Sequence, residues 1–104
     1  MNEFNENKIT IKADPDLADL IPKFLENRRN DIRQMKLALE QKDFGCIKTL
    51  GHIMKGAGGG YGFDAITEIG GWLEDKAGKE DEENVRKGID QLVHYLDQVK
   101  VVYE

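Results

Sequence analysis

The sequence predicts an all-α fold, namely an antiparallel four-helix bundle with a short extra helix at its N-terminus. Three observations predict it. Four long segments repeat apolar residues at steps of three and four, helix-breaking residues separate these segments, and the connections between them are short. The 104 residues suit one domain with a single core. We expect residues 1–13 to be an extended segment and residues 14–104 to be the bundle.

The first elements are short. Residues 8–12 (K-I-T-I-K) alternate apolar and polar side chains, so we expect this segment to be extended with both isoleucines against the helices. Asp14 followed by Pro15 predicts a helix start, with aspartate as the N-cap and proline at the first helical position. Pro22 interrupts this first helix and opens the second for the same reason.

Each of the four long helices has an apolar stripe that predicts its buried face. We expect the second helix to end near residue 41, the third to cover roughly 44–60, the fourth to run from the N-cap Asp64 to Gly78, and the last to cover about 81–103. The stripes, in chain order, are Ile21, Leu25, Ile32, Met35 and Leu39; Ile47, Leu50, Gly51, Met54 and Gly58; Ile66, Ile69, Leu73 and Ala77; Val85, Ile89, Leu92, Leu96, Val99 and Tyr103.

Composition and charge exclude several classes of function. The net charge of −5 argues against nonspecific binding to nucleic acid or to an anionic membrane. The single cysteine, Cys46, excludes an intrachain disulfide and favours a reducing compartment. The N-terminus does not resemble a secretory signal, and no apolar run is long enough to cross a bilayer. We therefore expect a cytoplasmic protein.

The third helix presents His52 on the face opposite its apolar stripe. The helical neighbours of a residue lie three, four and seven positions away. Around His52 these are three glycines, two lysines and a threonine: Gly45, Lys48, Thr49, Lys55, Gly56 and Gly59. Glycine inside a helix costs about 0.5–1 kcal/mol relative to alanine. The glycines therefore predict an uncovered His52 ring that a second protein can reach.

The residues on this face suit phosphoryl transfer. A neutral imidazole nitrogen is a nucleophile at physiological pH. Lys55, one turn after His52, can stabilise charge on phosphoryl oxygens, and Lys48, one turn before, can assist. From the residues alone two other interpretations stay open, because an exposed histidine often has no special role and glycines such as Gly51 and Gly58 on the inner stripe allow close helix packing.

A resemblance to a known family adds to this interpretation. Residues 52–56 (H-I-M-K-G) resemble the H-x-x-K-G signature of histidine-phosphotransfer (HPt) domains, and the resemblance extends over about residues 14–100. The small residues after the signature also match the family, namely Ala57, Gly58, Gly59 and Gly62. Further matches are Leu50 and Gly51 before the signature, residues 20–25 (L-I-P-K-F-L), and Phe63 at the start of the fourth helix. The density of glycine at 58–60 departs from the pattern and leaves the C-terminal end of the third helix open.

The resemblance implies a phosphorelay protein of two-component signalling. His52 would accept the phosphoryl group through the ring nitrogen farther from the backbone, with Lys55 and Lys48 stabilising it and Gly45, Gly56 and Gly59 keeping the approach clear. The partners would be response-regulator receiver domains and a sensor or hybrid histidine kinase, and the chain would be a monomeric, stoichiometric carrier rather than a turnover enzyme. No cofactor, metal, nucleic acid or membrane is expected. Because no carboxylate cluster is evident near His52, any magnesium would come from the receiver.

The remaining features are weaker guides. Ile53, Tyr61 and Phe63 are candidates for partner docking, because interfaces combine apolar anchors with a polar rim. Trp72 is expected to pack against a neighbouring helix, and His94 to lie on the surface. The glycine run does not fit a nucleotide-binding loop. The competing hypothesis is a helical adaptor that is never phosphorylated and in which the glycines serve packing alone.

Overall fold

The computed structural model describes residues 9–104 and contains four α-helices in that part of the chain. Helix α1 covers Ile21–Glu40, α2 Phe44–Ala57, α3 Asp64–Gly78 and α4 Glu82–Gln98. The predicted helical class and the number of long helices are confirmed, whereas the antiparallel order of the helices stays a prediction. Across the described residues, no helix combines the length and the apolar character that crossing a membrane requires.

The N-terminal elements differ in part from the prediction. The extra helix is a single 3₁₀ turn, Pro15–Leu17, in which the Asp14 side chain accepts a hydrogen bond from the Asp16 amide at 2.9 Å. The turn cannot extend, because α1 starts only four residues after it with Pro22 in its first turn. The expectation that residues 1–8 are extended lies outside the described residues.

The last helix is shorter than predicted, because its final five residues form a strand. Strand β1 (Ile9–Ala13) pairs in parallel with strand β2 (Val99–Tyr103), so the all-α prediction omits a two-stranded sheet. The sequence of β2, V-K-V-V-Y, is rich in β-branched and aromatic residues that favour strands. Pairing with β2 also gives β1 the backbone partner that an isolated strand lacks.

The core lies between the four helices and contains most of the predicted stripes. The buried members are Ile21, Leu25, Ile32, Met35 and Leu39 on α1; Ile47 and Met54 on α2; Ile66, Leu73 and Ala77 on α3; Val85, Ile89, Leu92 and Leu96 on α4. Removing a large apolar side chain of this kind from water contributes about 1.5–3 kcal/mol. In β2, by contrast, Val99 is only half-buried and Tyr103 is exposed.

Helices α2 and α3 touch backbone to backbone, and this contact sets the geometry of the site described below. A Cβ atom added at Gly51 would lie 2.8 Å from the Gly70 carbonyl oxygen and from the Glu74 amide nitrogen. A Cβ atom at Gly70 would lie 2.7 Å from the Lys55 amide nitrogen. Only glycine permits both approaches, so these two residues let the helices pack closer than side chains allow.

An aromatic cluster anchors the segment after α2 to α1. The ring of Phe24 lies 4.7 Å from that of Tyr61 and 5.4 Å from that of Phe63. The guanidinium of the buried Arg28 also lies over the Phe24 ring, 4.8 Å from its centroid. Arg28 Nε donates a hydrogen bond to Asp31 at 2.9 Å. Burial raises the pKa of the Asp31 carboxyl, and the Arg28 guanidinium opposes that rise.

Candidate functional site

His52 stands on the outer face of α2, as its position relative to the apolar stripe predicts. The helix begins where Asp43 accepts a hydrogen bond from the Cys46 amide at 3.1 Å. Ile47 and Met54 face the core from this helix, and the His52 side chain is 71% exposed. The imidazole is therefore accessible to another molecule.

A carboxylate on α3 holds the imidazole. His52 Nδ1 lies 2.9 Å from Oε2 of Glu74, a residue 22 positions later in the chain. Glu74 could not be predicted from the sequence, because no short-range spacing links it to His52. Glu74 follows Gly70 by one helical turn, and His52 adjoins Gly51, so the Gly51–Gly70 contact brings the two side chains together. The sequence signals of this close approach were Gly51 on the inner stripe of α2 and the two consecutive glycines at 70 and 71.

Lys55 shares the same carboxylate. Its Nζ lies 3.6 Å from Glu74 Oε1, while His52 bonds to Oε2. The hydrogen bond from His52 lowers the pKa of the Glu74 carboxyl, and the positive charge of Lys55 acts in the same direction. Glu74 is therefore ionised at neutral pH, and an ionised carboxylate only accepts hydrogen bonds.

This pairing assigns the tautomer of the neutral His52 ring. Since Glu74 accepts, Nδ1 carries the proton and donates it, and the lone pair lies on Nε2. Nε2 is the ring nitrogen farther from the backbone, which is the atom that the family resemblance implies as the phosphoryl acceptor. The carboxylate also fixes the orientation of the ring, because the hydrogen bond joins two elements that pack tightly.

Lys48 lies farther from the centre of the site than Lys55. Its stem crosses α3 at Gly78, where an added Cβ would meet Lys48 Cδ and Cε at 3.8 Å. The stem of Lys55 crosses α3 one position after Gly70, at Gly71, in the same way. Lys48 forms no ion pair with any residue in 9–104. The structure thus brings Lys55 together with His52 and places Lys48 at the other end of a groove between the helices.

The predicted access glycines are exposed, but they do not all lie in the helix. An added Cβ at Gly56 would meet no atom within 4 Å, and at Gly45 it would meet only Asp43 at 3.7 Å. Gly59 lies outside α2, because the helix ends at Ala57 rather than near residue 60 and a 3₁₀ turn, Gly59–Tyr61, follows. Gly62 ends this turn at φ +87°, a left-handed conformation that favours glycine.

The docking candidates differ in exposure. Ile53 is 49% exposed beside His52, and Tyr61 is half-buried against Phe24. The prediction for Phe63 is wrong, because this side chain is completely buried and stacks on Phe24 in the core. Trp72 packs against α4 as predicted, since its Nε1 donates to the Asn84 carbonyl oxygen at 2.9 Å.

Comparison with known proteins assigns this chain to a recognised class. The family model for the Hpt domain matches residues 19–101, a range that includes all four helices together with His52, Lys55 and Glu74. The searches of curated proteins and of solved structures found no match. The family match covers far more than half of the chain.

Proposed function

Because the chain belongs to the Hpt domain family, whose members are phosphocarrier modules of two-component signalling, we propose that it relays a phosphoryl group between aspartyl-phosphate receiver domains through a phosphohistidine at His52. The observation that carries the proposal is the exposed His52 ring whose Nδ1 is held by an ionised Glu74. The chain acts as a stoichiometric carrier, and its partners are receiver domains and a sensor or hybrid histidine kinase. We place it in the cytoplasm as a monomer.

The transfer step starts with the lone pair on Nε2. This nitrogen attacks the phosphorus of the receiver's aspartyl phosphate, the N–P bond forms, and the bond from phosphorus to the aspartate oxygen breaks. The aspartate leaves as a carboxylate. Nδ1 keeps its proton, so the phosphorylated ring carries a positive charge that the adjacent Glu74 carboxylate stabilises. Transfer to a second receiver reverses these bond changes.

Lys55 supplies positive charge close to where negative charge develops on the phosphoryl oxygens. Its ammonium shares Glu74 with His52 and is more than half exposed, so it can turn toward a group bound at Nε2. Gly56, which follows it, leaves the approach to the ring clear because no side chain stands there. Gly45 and Gly59 are also exposed, one on each side of His52 along the chain, and they add no side chain that would obstruct a partner.

The first test uses the two histidines of the chain, of which His94 is the natural control. His94 is exposed on α4, so replacing either residue leaves the core intact. We expect His52→Gln to abolish formation of an acid-labile phosphate when the protein is mixed with a phosphorylated receiver, and His94→Gln to retain it. Radiolabelled transfer across a panel of receivers measures this. Labelling that persists in His52→Gln would refute the assignment, whereas a wild-type chain that takes up no label from any receiver would favour the adaptor hypothesis.

A second test concerns Lys55. We expect Lys55→Ala to slow transfer about tenfold, because the removed charge stabilises the transferring group but acts from an exposed position. Docking of the receiver should stay measurable. Rapid-quench kinetics under single-turnover conditions give the transfer rate, and Lys23→Ala, an exposed lysine on α1, is the control. An unchanged rate would contradict the role of Lys55.

A further inference from the structure

A groove of about 460 Å³ runs between α2 and α3, next to His52. Three lysines and two carboxylates line it, namely Lys48, Lys55, Lys79, Glu74 and Asp75. The proposed phosphoryl transfer uses Lys55 and Glu74 at one end. The transfer step described above names no group at the other end, around Lys48 and Lys79, although Lys48 stays a predicted second stabiliser of the phosphoryl group.

The charges of the groove do not balance. Glu74 is engaged by His52 and Lys55, and Asp75 lies 3.3 Å from Lys79 Nζ. Lys48 has no anionic partner within residues 9–104, as described above. Three ammonium groups and two carboxylates line the groove, and Lys76 Nζ also lies 3.7 Å from Asp75 Oδ2, so the groove is net positive in a protein whose total charge is −5. A single anion from outside therefore complements the groove.

Glycines keep the groove open along α3. Gly71 and Gly78 are seven residues apart, which places them on the same face of the helix. The stems of Lys55 and Lys48 lie against these two glycines, with their atoms 3.6–4.0 Å from where a Cβ would stand. Larger residues on α3 would push the lysines outward, so the sequence of α3 lets both ammonium groups border one shallow channel.

We propose that this lysine groove (Lys48, Lys55 and Lys79 between α2 and α3) binds a carboxylate from the surface of the docking protein, with Lys48 as its main contact. The inference rests on the proposed function, because it concerns the partner that approaches His52. The charge decides between sources of the anion. One aspartate or glutamate of a partner matches Lys48, the groove lysine without an anionic partner in residues 9–104, whereas the triphosphate of a nucleotide would bring several negative charges beside Glu74.

The proposal is tested with a terminally blocked peptide that carries a single glutamate and no other charge, added to the ¹⁵N-labelled full chain and followed by NMR at low salt. We expect the peptide to shift the amides of Lys48 and Gly78, and Lys48→Gln to weaken binding about two- to fivefold, the range for an exposed ion pair. The matched control is Lys36→Gln, an exposed lysine on α1, which should leave the affinity unchanged. Absence of shifts in the groove, or equal weakening by both substitutions, would overturn the proposal. Binding of tripolyphosphate tenfold tighter than the peptide would also overturn it in favour of a nucleotide.

A receiver arm separates this proposal from the proposed function. Binding of an unphosphorylated receiver that docks on the protein is measured by calorimetry in the His52→Gln background, where transfer cannot occur. Adding Lys48→Gln should weaken binding by a similar factor, and an unchanged affinity would count against the groove. Labelling of His52 in the wild-type chain is scored independently, so a failure of phosphoryl transfer and a failure of carboxylate binding give different results.

Discussion

The two faces of α2 both carry glycine, but for different physical reasons. On the inner face, a Cβ at Gly51 would collide with the backbone of α3 at 2.8 Å. On the outer face, a Cβ at Gly56 would meet nothing within 4 Å. Each helical glycine costs about 0.5–1 kcal/mol relative to alanine. At Gly51 the close packing of α2 on α3 offsets this cost, whereas at Gly56 no contact within the protein offsets it. The outer glycine therefore has to be explained by what approaches the helix from outside.

The inner face also builds the site that the outer face presents. The backbone contact between Gly51 and Gly70 holds α2 and α3 close enough for Glu74 to reach His52 and Lys55. The access and the chemistry of the histidine thus depend on opposite sides of one helix. A substitution on the outer face should therefore change transfer without destabilising the fold, whereas one on the inner face should affect both.

The largest effect is expected from Gly51→Ala. The added methyl group would overlap backbone atoms that cannot rotate away, so we expect a loss of about 1–3 kcal/mol in the free energy of unfolding. The matched variant Gly56→Ala adds the same atom to open space and should gain about 0.5–1 kcal/mol. Urea denaturation followed by the fluorescence of Trp72, the single tryptophan, measures both. Equal changes at the two positions would break the comparison.

The next effect concerns function on the outer face. Gly56→Leu should be at least as stable as the wild type, because leucine also favours a helix more than glycine does, but it should slow transfer from a phosphorylated receiver about tenfold, because the side chain blocks the approach to His52. Gln91→Leu places the same residue at an exposed position on α4 and should leave the rate unchanged. Single-turnover transfer rates check this. A normal rate in Gly56→Leu would show that the outer glycine is not needed for access.

The sequence predicted the helical part of the fold because helix formation leaves a local signal. The apolar stripe of α1, for example, is buried as its spacing indicates. The C-terminal end of α4 was missed because Val99 and Tyr103 continue the helical spacing of the stripe, while the same segment also has the composition of a strand. Its partner β1 lies some ninety residues earlier, and no local pattern announces a pairing over that distance.

The site divides in the same way. His52 and Lys55 lie one turn apart on a single helix, so the sequence alone places them together. Glu74 and the end of the groove at Gly78 depend on how α2 meets α3, which only the tertiary structure gives. Phe63 was wrongly predicted to dock a partner, because the sequence does not distinguish an aromatic residue on the surface near a site from one that fills the core.

The smallest effect is expected from Glu74→Gln. This variant tests whether the Gly51–Gly70 contact brings an ionised carboxylate into a hydrogen bond with His52. The hydrogen bond from His52 lowers the pKa of Glu74 below its ordinary value of 4.5. A carboxyl whose pKa is lower in the folded state stabilises the fold above its ordinary pKa, and this contribution is lost as the pH falls through the lowered value. Wild type should therefore be slightly more stable than Glu74→Gln at neutral pH, and the difference should shrink as the pH falls below about 4.5.

Urea midpoints of both proteins from pH 7 to pH 3 measure this difference, and Glu68→Gln on the exposed part of α3 controls for the general effect of removing a carboxylate. The comparison between the two variants matters because the pKa values of Asp81 and Glu82 are also lowered. Protonation of these two carboxylates in acid destabilises every variant alike. A difference between wild type and Glu74→Gln that stays constant down to pH 3 would mean that His52 and Glu74 are not hydrogen-bonded in solution. The Nε2 lone pair would then lose the partner that fixes it, and the neutral ring could carry its proton on either nitrogen.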